Sequence, residues 1–169
     1  MIKATISGGE ILTEESDAAR ELFNQGRYGA ITRKRVHLSF LEAVYLVEKK
    51  KIEIDSTKGP IERDQLIKKS KDPNFAVRYS VYSDLRERGY IVKTALKFGA
   101  DFRVYDRGIK PGEDHAKWVV FPVHESSKHT WQEFSAKNRV AHSTKKRLLL
   151  GIVDDEMDVT YYEVKWVRP

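Results

Sequence analysis

The sharpest constraint on the fold is a change of hydrophobic period at Gly89. Before it, DPNFAVRYSVYSDLRERG sets Phe75, Tyr79, Tyr82 and Leu85 on one helical face, and Gly89 stops the helix. After it come YIVKTALKF, DFRVY, KWVVFPV, RLLLGIV and DVTYYEV, short runs rich in β-branched and aromatic residues. Gly99, the loop over 106–116, a helical stretch and an acidic turn separate them. The pattern predicts an α+β chain with two lobes: a small N-terminal helix-plus-strand domain over 1–80, and a C-terminal domain over 81–169 built on a mixed β-sheet flanked by helices. At 169 residues the chain can bury two small cores. The helix ending at Gly89 is the expected bridge.

Local signals fill in this outline. IKATISGGEILTEE reads as two strands about a glycine turn, and ESDAARELFNQG as a helix stopped by Gly26. Ser39 with Glu42 forms a capping-box pattern ahead of Leu41, Ala43, Val44 and Leu46, with a Lys-rich last turn. Ile52–Ile54 suggests a strand, and Pro60 the start of a helix through Leu66 and Ile67. Thr130 with Glu133 starts a further helix, expected to lay Trp131, Phe134, Val140 and Ala141 on the sheet.

Composition removes several chemistries. There is no cysteine, so thiol catalysis, disulfides and thiolate metal sites are excluded. No apolar run reaches the roughly 18 residues of a membrane span, and the N-terminus lacks an apolar signal segment, so the expectation is a cytoplasmic protein with no membrane partner. Thirty-one Lys and Arg against 25 Asp and Glu leave a formal charge of +6, which favours an anionic partner.

Three groups sit at element boundaries in the C-terminal half, where side chains project into clefts: Tyr105 at a strand end, His115 beyond a loop turned by Gly108, Pro111 and Gly112, and Lys146 within AHSTKKRLLL. Singly, each has an ordinary reading as a packing tyrosine, a solvated histidine or one lysine of a basic run. Together they fit RNA cleavage by the substrate's own 2′-hydroxyl. That reaction needs a base, an acid for the departing 5′ oxygen, and a cation facing the phosphorane. It requires no metal and no cofactor.

The segments DFRVY, the Pro-Gly loop with its histidine, RVAHSTKKRLLL and DVTYYEVKWVRP closely resemble the archaeal tRNA-splicing endonuclease (tRNA-intron lyase) family. The resemblance is dense over residues 89–169 and looser before them. It implies a restriction-endonuclease-like catalytic domain. Tyr105 would be the base, His115 the acid and Lys146 the stabilising cation, with 2′,3′-cyclic phosphate and 5′-hydroxyl products. The HS-x-x-K spacing selects Lys146 over Lys145, and strand alternation would send the two to opposite faces. His142 has an ordinary reading as a helix-end cap.

The resemblance also implies a precursor tRNA partner whose exon–intron junctions form a bulge-helix-bulge, recognised by shape and by extruded bases. Arg139, seven residues before Lys146, matches the family's base-gripping arginine. Trp166, read on the last strand, is either a stacking surface for RNA or a core or interface residue. The acidic turn with Asp154, Asp155, Glu156 and Asp158 would repel phosphate, so it should face protein. In the family such a loop inserts into an opposing subunit, which implies a homotetramer; a solvated turn is the plain reading. Two further readings remain: a Mg²⁺-dependent nuclease using Asp155, Glu163 and Lys165 in a D…E-x-K pattern, and a non-catalytic RNA-binding structural subunit.

Overall fold

The computed structural model describes residues 1–94, 101–110, 112 and 115–169. The last four residues of the expected strand YIVKTALKF, with Gly99, Ala100, Pro111, Glu113 and Asp114, lie outside the described residues. The chain is α+β and divides into two compact units, Met1–Phe75 and Ala76–Pro169.

The first unit runs β1 (Ile2–Ser7), β2 (Glu10–Thr13), α1 (Asp17–Asn24), β3 (Ala30–Thr32), β4 (Arg35–Leu38), α2 (Phe40–Glu48), β5 (Ile52–Ser56), β6 (Gly59–Pro60) and α3 (Arg63–Ser70). Its mixed sheet has the order β3-β4-β2-β1-β5-β6, with β1 and β5 parallel. Alternation buries Ala4, Ile11, Val36, Ile52 and Ile54 in its core, with Val44, Leu46 and Leu66 from the helices.

Helix α2 begins at the expected capping box. Ser39 accepts from the Glu42 backbone N–H, while the buried Glu42 carboxylate accepts from the Ser39 backbone and from Gly29 N at 2.7 Å. Its basic residues Lys49–Lys51 lie past the last turn instead of in it. Pro60 does not open a helix. It lies in the short β6, and α3 starts after Glu62, whose backbone N–H is accepted by Gln65. After α1 the left-handed residue is Arg27, not Gly26.

The second unit contains β7 (Ile91–Thr94), β8 (Phe102–Tyr105), β9 (Trp118–His124), α5 (Trp131–Ser143), β10 (Arg147–Val153) and β11 (Val159–Val164), preceded by α4 (Phe75–Glu87), which spans the boundary between the units. Its sheet has the order β11-β10-β9-β8-β7; β9 and β10 run parallel and the other pairs antiparallel. One face carries Val119, Phe121 and Leu148 against Ala141 of α5. The other carries Phe102 beside Tyr82 of α4, and Tyr161, whose hydroxyl donates to Asp84 at 2.7 Å. Gly151 makes that second contact close: a Cβ there would lie 2.8 Å from a Val81 methyl.

Helix α5 keeps its Thr130–Glu133 box, and Ala141 of its expected face is buried on the sheet, but Trp131 is not. Trp131 is 83% exposed and stacks edge-on with Phe134; Asn138 and Ala141 are the buried positions. The first helical turn therefore overhangs the sheet and the last turn packs on it. Among the described residues, no helix is long and apolar enough to cross a membrane.

Candidate active site

Sheet topology, not sequence proximity, assembles the three candidate groups. Strand β8 is antiparallel to β9, and β9 is parallel to β10, so the end of β8 and the starts of β9 and β10 share one end of the sheet. Tyr105 is the last residue of β8, His115 lies three residues before β9, and Lys146 lies one residue before β10. Two backbone bonds tie this end together: Lys117 N–H donates to Val104 O at 2.9 Å, and Arg147 N–H to Lys117 O at 3.0 Å. Strands β8 and β10 are two strand spacings apart, roughly 9–10 Å, a gap that side chains and a phosphate can fill.

The loop before β9 turns at Gly108 and Gly112, both with positive φ. Asp106 closes its start by accepting from Arg107 N, and it lies 3.8 Å from the Lys117 ammonium. His115 is exposed, whereas Tyr105 is buried, 6% exposed. The phenol is thus held by packing and the imidazole meets solvent, an arrangement suited to one fixed and one exchangeable proton carrier.

Lys146 is placed by the end of α5. Lys145 adopts the left-handed conformation (φ 57°), its N–H bonds to His142 O at 3.1 Å, and Lys146 N–H bonds to Ala141 O at 2.8 Å. This is a Schellman closure with lysine in the usual glycine position. A helix cap therefore sets the backbone of the adjacent lysines; the strand alternation invoked from sequence does not apply, since β10 begins only at Arg147. The Lys146 ammonium donates to Thr144 O at 3.3 Å. Burial lowers its pKa below the ordinary lysine value, and the nearby charge of Arg103 lowers it further.

Beside Lys146 lies a cavity of about 280 Å³ lined by His142, Lys145, Lys146, Arg147, Lys165 and Trp166, with Val164. Trp166 is not on the last strand, which ends at Val164. Its ring is 39% exposed and lies 4.2 Å from the His142 ring, with Arg168 over it at 5.1 Å. His142 is thus a ring partner of Trp166. Arg139 is exposed one turn before His142, on the same side of α5.

The acidic turn lies at the far end of β10, beginning eight residues from Lys146, or about 26 Å along the strand. Asp154 organises it, its carboxylate accepting from the backbone N–H groups of Glu156 and Asp158. His124 Nε2 lies 2.9 Å from Asp155. Because Asp155 is in this turn and Glu163 is near the opposite end of β11, Asp155, Glu163 and Lys165 cannot enclose one ion. Glu163 instead accepts from Trp118 Nε1 at 2.8 Å and lies 3.4 Å from Arg147.

Arg103, the Trp118–Glu163–Arg147 cluster and the His124–Asp155 contact were not singled out from sequence. For Arg103 a signal existed: alternation in DFRVY puts it on the same face as Tyr105.

Residues 2–67 match the N-terminal domain of tRNA intron endonuclease, and residues 75–161 match the catalytic C-terminal domain of tRNA intron endonuclease. The chain is 40% identical to the tRNA-splicing endonuclease of Thermococcus kodakarensis over 170 residues, covering 99% of both chains. It is 39% identical to that of Methanothermobacter thermautotrophicus over 163 residues, 96% of both. It is 44% identical to that of Nanoarchaeum equitans over 140 residues, 78% of this chain and 90% of the relative.

Proposed function

The chain belongs to the tRNA intron endonuclease family, and from that membership we propose that it cuts precursor tRNA at bulge-helix-bulge exon–intron junctions by metal-independent attack of the 2′-hydroxyl. The observation that carries this reading is the convergence of Tyr105, His115 and Lys146 on one end of the second sheet, from three different elements.

Tyr105, reacting as its phenolate, accepts the 2′ proton, the freed oxygen forms a bond to phosphorus, and the bond to the 5′ oxygen breaks as His115, reacting as its imidazolium, protonates it. The products are a 2′,3′-cyclic phosphate and a 5′-hydroxyl. Lys146 opposes the charge that grows on the phosphorane, and partial burial strengthens that interaction relative to water. No step calls on a metal or cofactor.

Arg139 and Trp166 bind the bulge nucleotides. Both are exposed on the side of α5 that leads to the cavity beside Lys146, where a guanidinium and an indole offer planar surfaces to an unpaired base. The acidic turn, with Asp154, Asp155, Glu156 and Asp158, stands at the opposite end of β10 from Lys146 and contacts another copy of the chain in a homotetramer. A structural, non-catalytic subunit is disfavoured because all three reacting groups are present.

The test is cleavage of a bulge-helix-bulge RNA in excess EDTA, with both new ends mapped. The expected outcome is undiminished cutting with cyclic phosphate and 5′-hydroxyl ends; dependence on added Mg²⁺ would sink the reading. His115→Ala should slow cutting by about 10²- to 10⁴-fold with RNA binding retained, and a fully active variant would remove His115 from the mechanism.

A further inference from the structure

We propose that Arg103 is a second phosphate-binding cation of this active site, gripping the scissile phosphate with its guanidinium while Lys146 meets the charge formed during reaction. The inference rests on the functional reading above and adds a residue to it.

Register carries the argument. Arg103 pairs with Val119 across β8 and β9, and Val119 pairs with Leu148 across β9 and β10. These three residues form one row on the face that α5 covers. Tyr105 lies two residues beyond Arg103 on β8 and so occupies the next row of the same face towards the sheet end, where Lys146 directly precedes β10. Arg103 therefore sits one pleat inside Tyr105, on the same face, at the end of the sheet where Lys146 enters. Its charge reaches Lys146 strongly enough to make that ammonium harder to protonate.

The partners of Arg103 sharpen the point. Its Nε donates to Thr94 O at 3.1 Å, which fixes the plane of the guanidinium, and among the described residues no group bonds its terminal nitrogens. Among the described residues, no carboxylate pairs with it. Arg103 thus sets a second positive charge against Lys146, and a phosphate held on its guanidinium would ease that repulsion. The two cations are also chemically distinct. A guanidinium fork matches two non-bridging phosphate oxygens at once, whereas an ammonium acts as a point charge. Arg103 can hold the phosphate in the ground state as well as during reaction, and its anchored plane orients the phosphorus for attack.

Arg103→Met keeps the stem and removes the charge; Arg103→Lys keeps the charge and loses the fork. Cleavage of saturating bulge-helix-bulge RNA is measured across pH for each, with thermal melting in parallel. Binding to the same RNA carrying 2′-deoxy sugars at the cleavage positions is measured across salt concentration.

Arg103→Met should cleave about 10²-fold more slowly, bind the deoxy RNA with a log–log salt slope smaller by about one, and melt as wild type does. The alkaline limb of its rate profile should move to higher pH, because removing a neighbouring positive charge raises the proton affinity of Lys146. Arg103→Lys should recover part of the rate and all of the salt slope. Wild-type cleavage by Arg103→Met overturns the proposal, and so does a slow variant with a lowered melting temperature and an unmoved alkaline limb, which would make Arg103 a strap between β7 and β8. If wild type binds the RNA with the Arg103-dependent salt slope yet cuts nothing, the phosphate contact stands and the catalytic reading falls.

Discussion

Glu163 ties together the three strands whose ends carry or border the candidate site. Its carboxylate accepts from Trp118 of β9 and pairs with Arg147 of β10, and it stands itself on β11. The Trp118 hydrogen bond, followed by the Arg147 interactions, lowers its pKa below the usual carboxylate range. A depressed carboxylate contributes stability above its unfolded pKa and loses it as pH falls through the folded value. The side chain is largely exposed, so solvent screening keeps the contribution modest. Glu163→Gln keeps an acceptor for Trp118 and removes only the charge. We expect the variant to be less stable than wild type at neutral pH, and the difference to disappear as pH falls through the lowered Glu163 pKa of the folded chain, as read by denaturant midpoints. A difference that persists undiminished at acid pH would refute the charge assignment. Sequence made Tyr105, His115 and Lys146 visible because each marks the boundary of an element. Glu163 carried a metal-site reading instead, because its true partner lies 45 residues away and meets it only through the β9–β10–β11 register.

Among the elements, those with a local chemical signature were readable and those whose signature is tertiary were not. The Ser39 and Thr130 boxes announced α2 and α5, since an N-cap and its third residue satisfy one another within a single turn. The β3–β4 hairpin left no such mark. Its turn residues Arg33 and Lys34 both take positive φ, a conformation that sequence signals with glycine or asparagine. Lys145 similarly hides the cap that positions Lys146. The exposed face of Trp131 was misread because helical periodicity gives an apolar side but not how much of it the sheet reaches. Glu42 links two of these elements: beyond capping α2, it accepts from Gly29 just before β3. Glu42→Ala would remove the carboxylate acceptor of part-buried N–H groups at both places. The expected loss is about 2–3 kcal/mol in chemical unfolding of the full chain. A loss under about 0.5 kcal/mol, typical of a neutral surface change, would show that water replaces the carboxylate.

For the whole molecule, the arithmetic of the reaction reaches beyond one chain. Excising an intron requires two cuts, and each chain carries one Tyr105–His115–Lys146 set. Strand β11 is an edge of the second sheet, flanked by exposed Met157, Tyr162, Trp166 and Val167, and an apolar edge of this kind favours pairing with another copy. In the proposed homotetramer the acidic turn would supply a different contact, because a cluster of carboxylates seeks a basic surface and the chain carries a net charge of +6. Within that turn the residues divide by task. Asp154 accepts two backbone N–H groups and so shapes the loop, whereas Asp155 is 85% exposed and Glu156 and Asp158 project from the exposed turn that Asp154 holds. The variant Asp155→Asn, Glu156→Gln, Asp158→Asn, with Asp154 retained, should keep the fold and remove the charge proposed to join dimers. Sedimentation should then find half the wild-type mass, with cleavage of bulge-helix-bulge RNA falling in parallel and the melting transition of the individual chain preserved. Raising the salt concentration should dissociate wild type in the same way, since surface ion pairs weaken once the screening length drops below about 10 Å. A variant that sediments as wild type does, at low and high salt alike, would show that the acidic turn is a solvated hairpin and that assembly relies on the β11 edge alone.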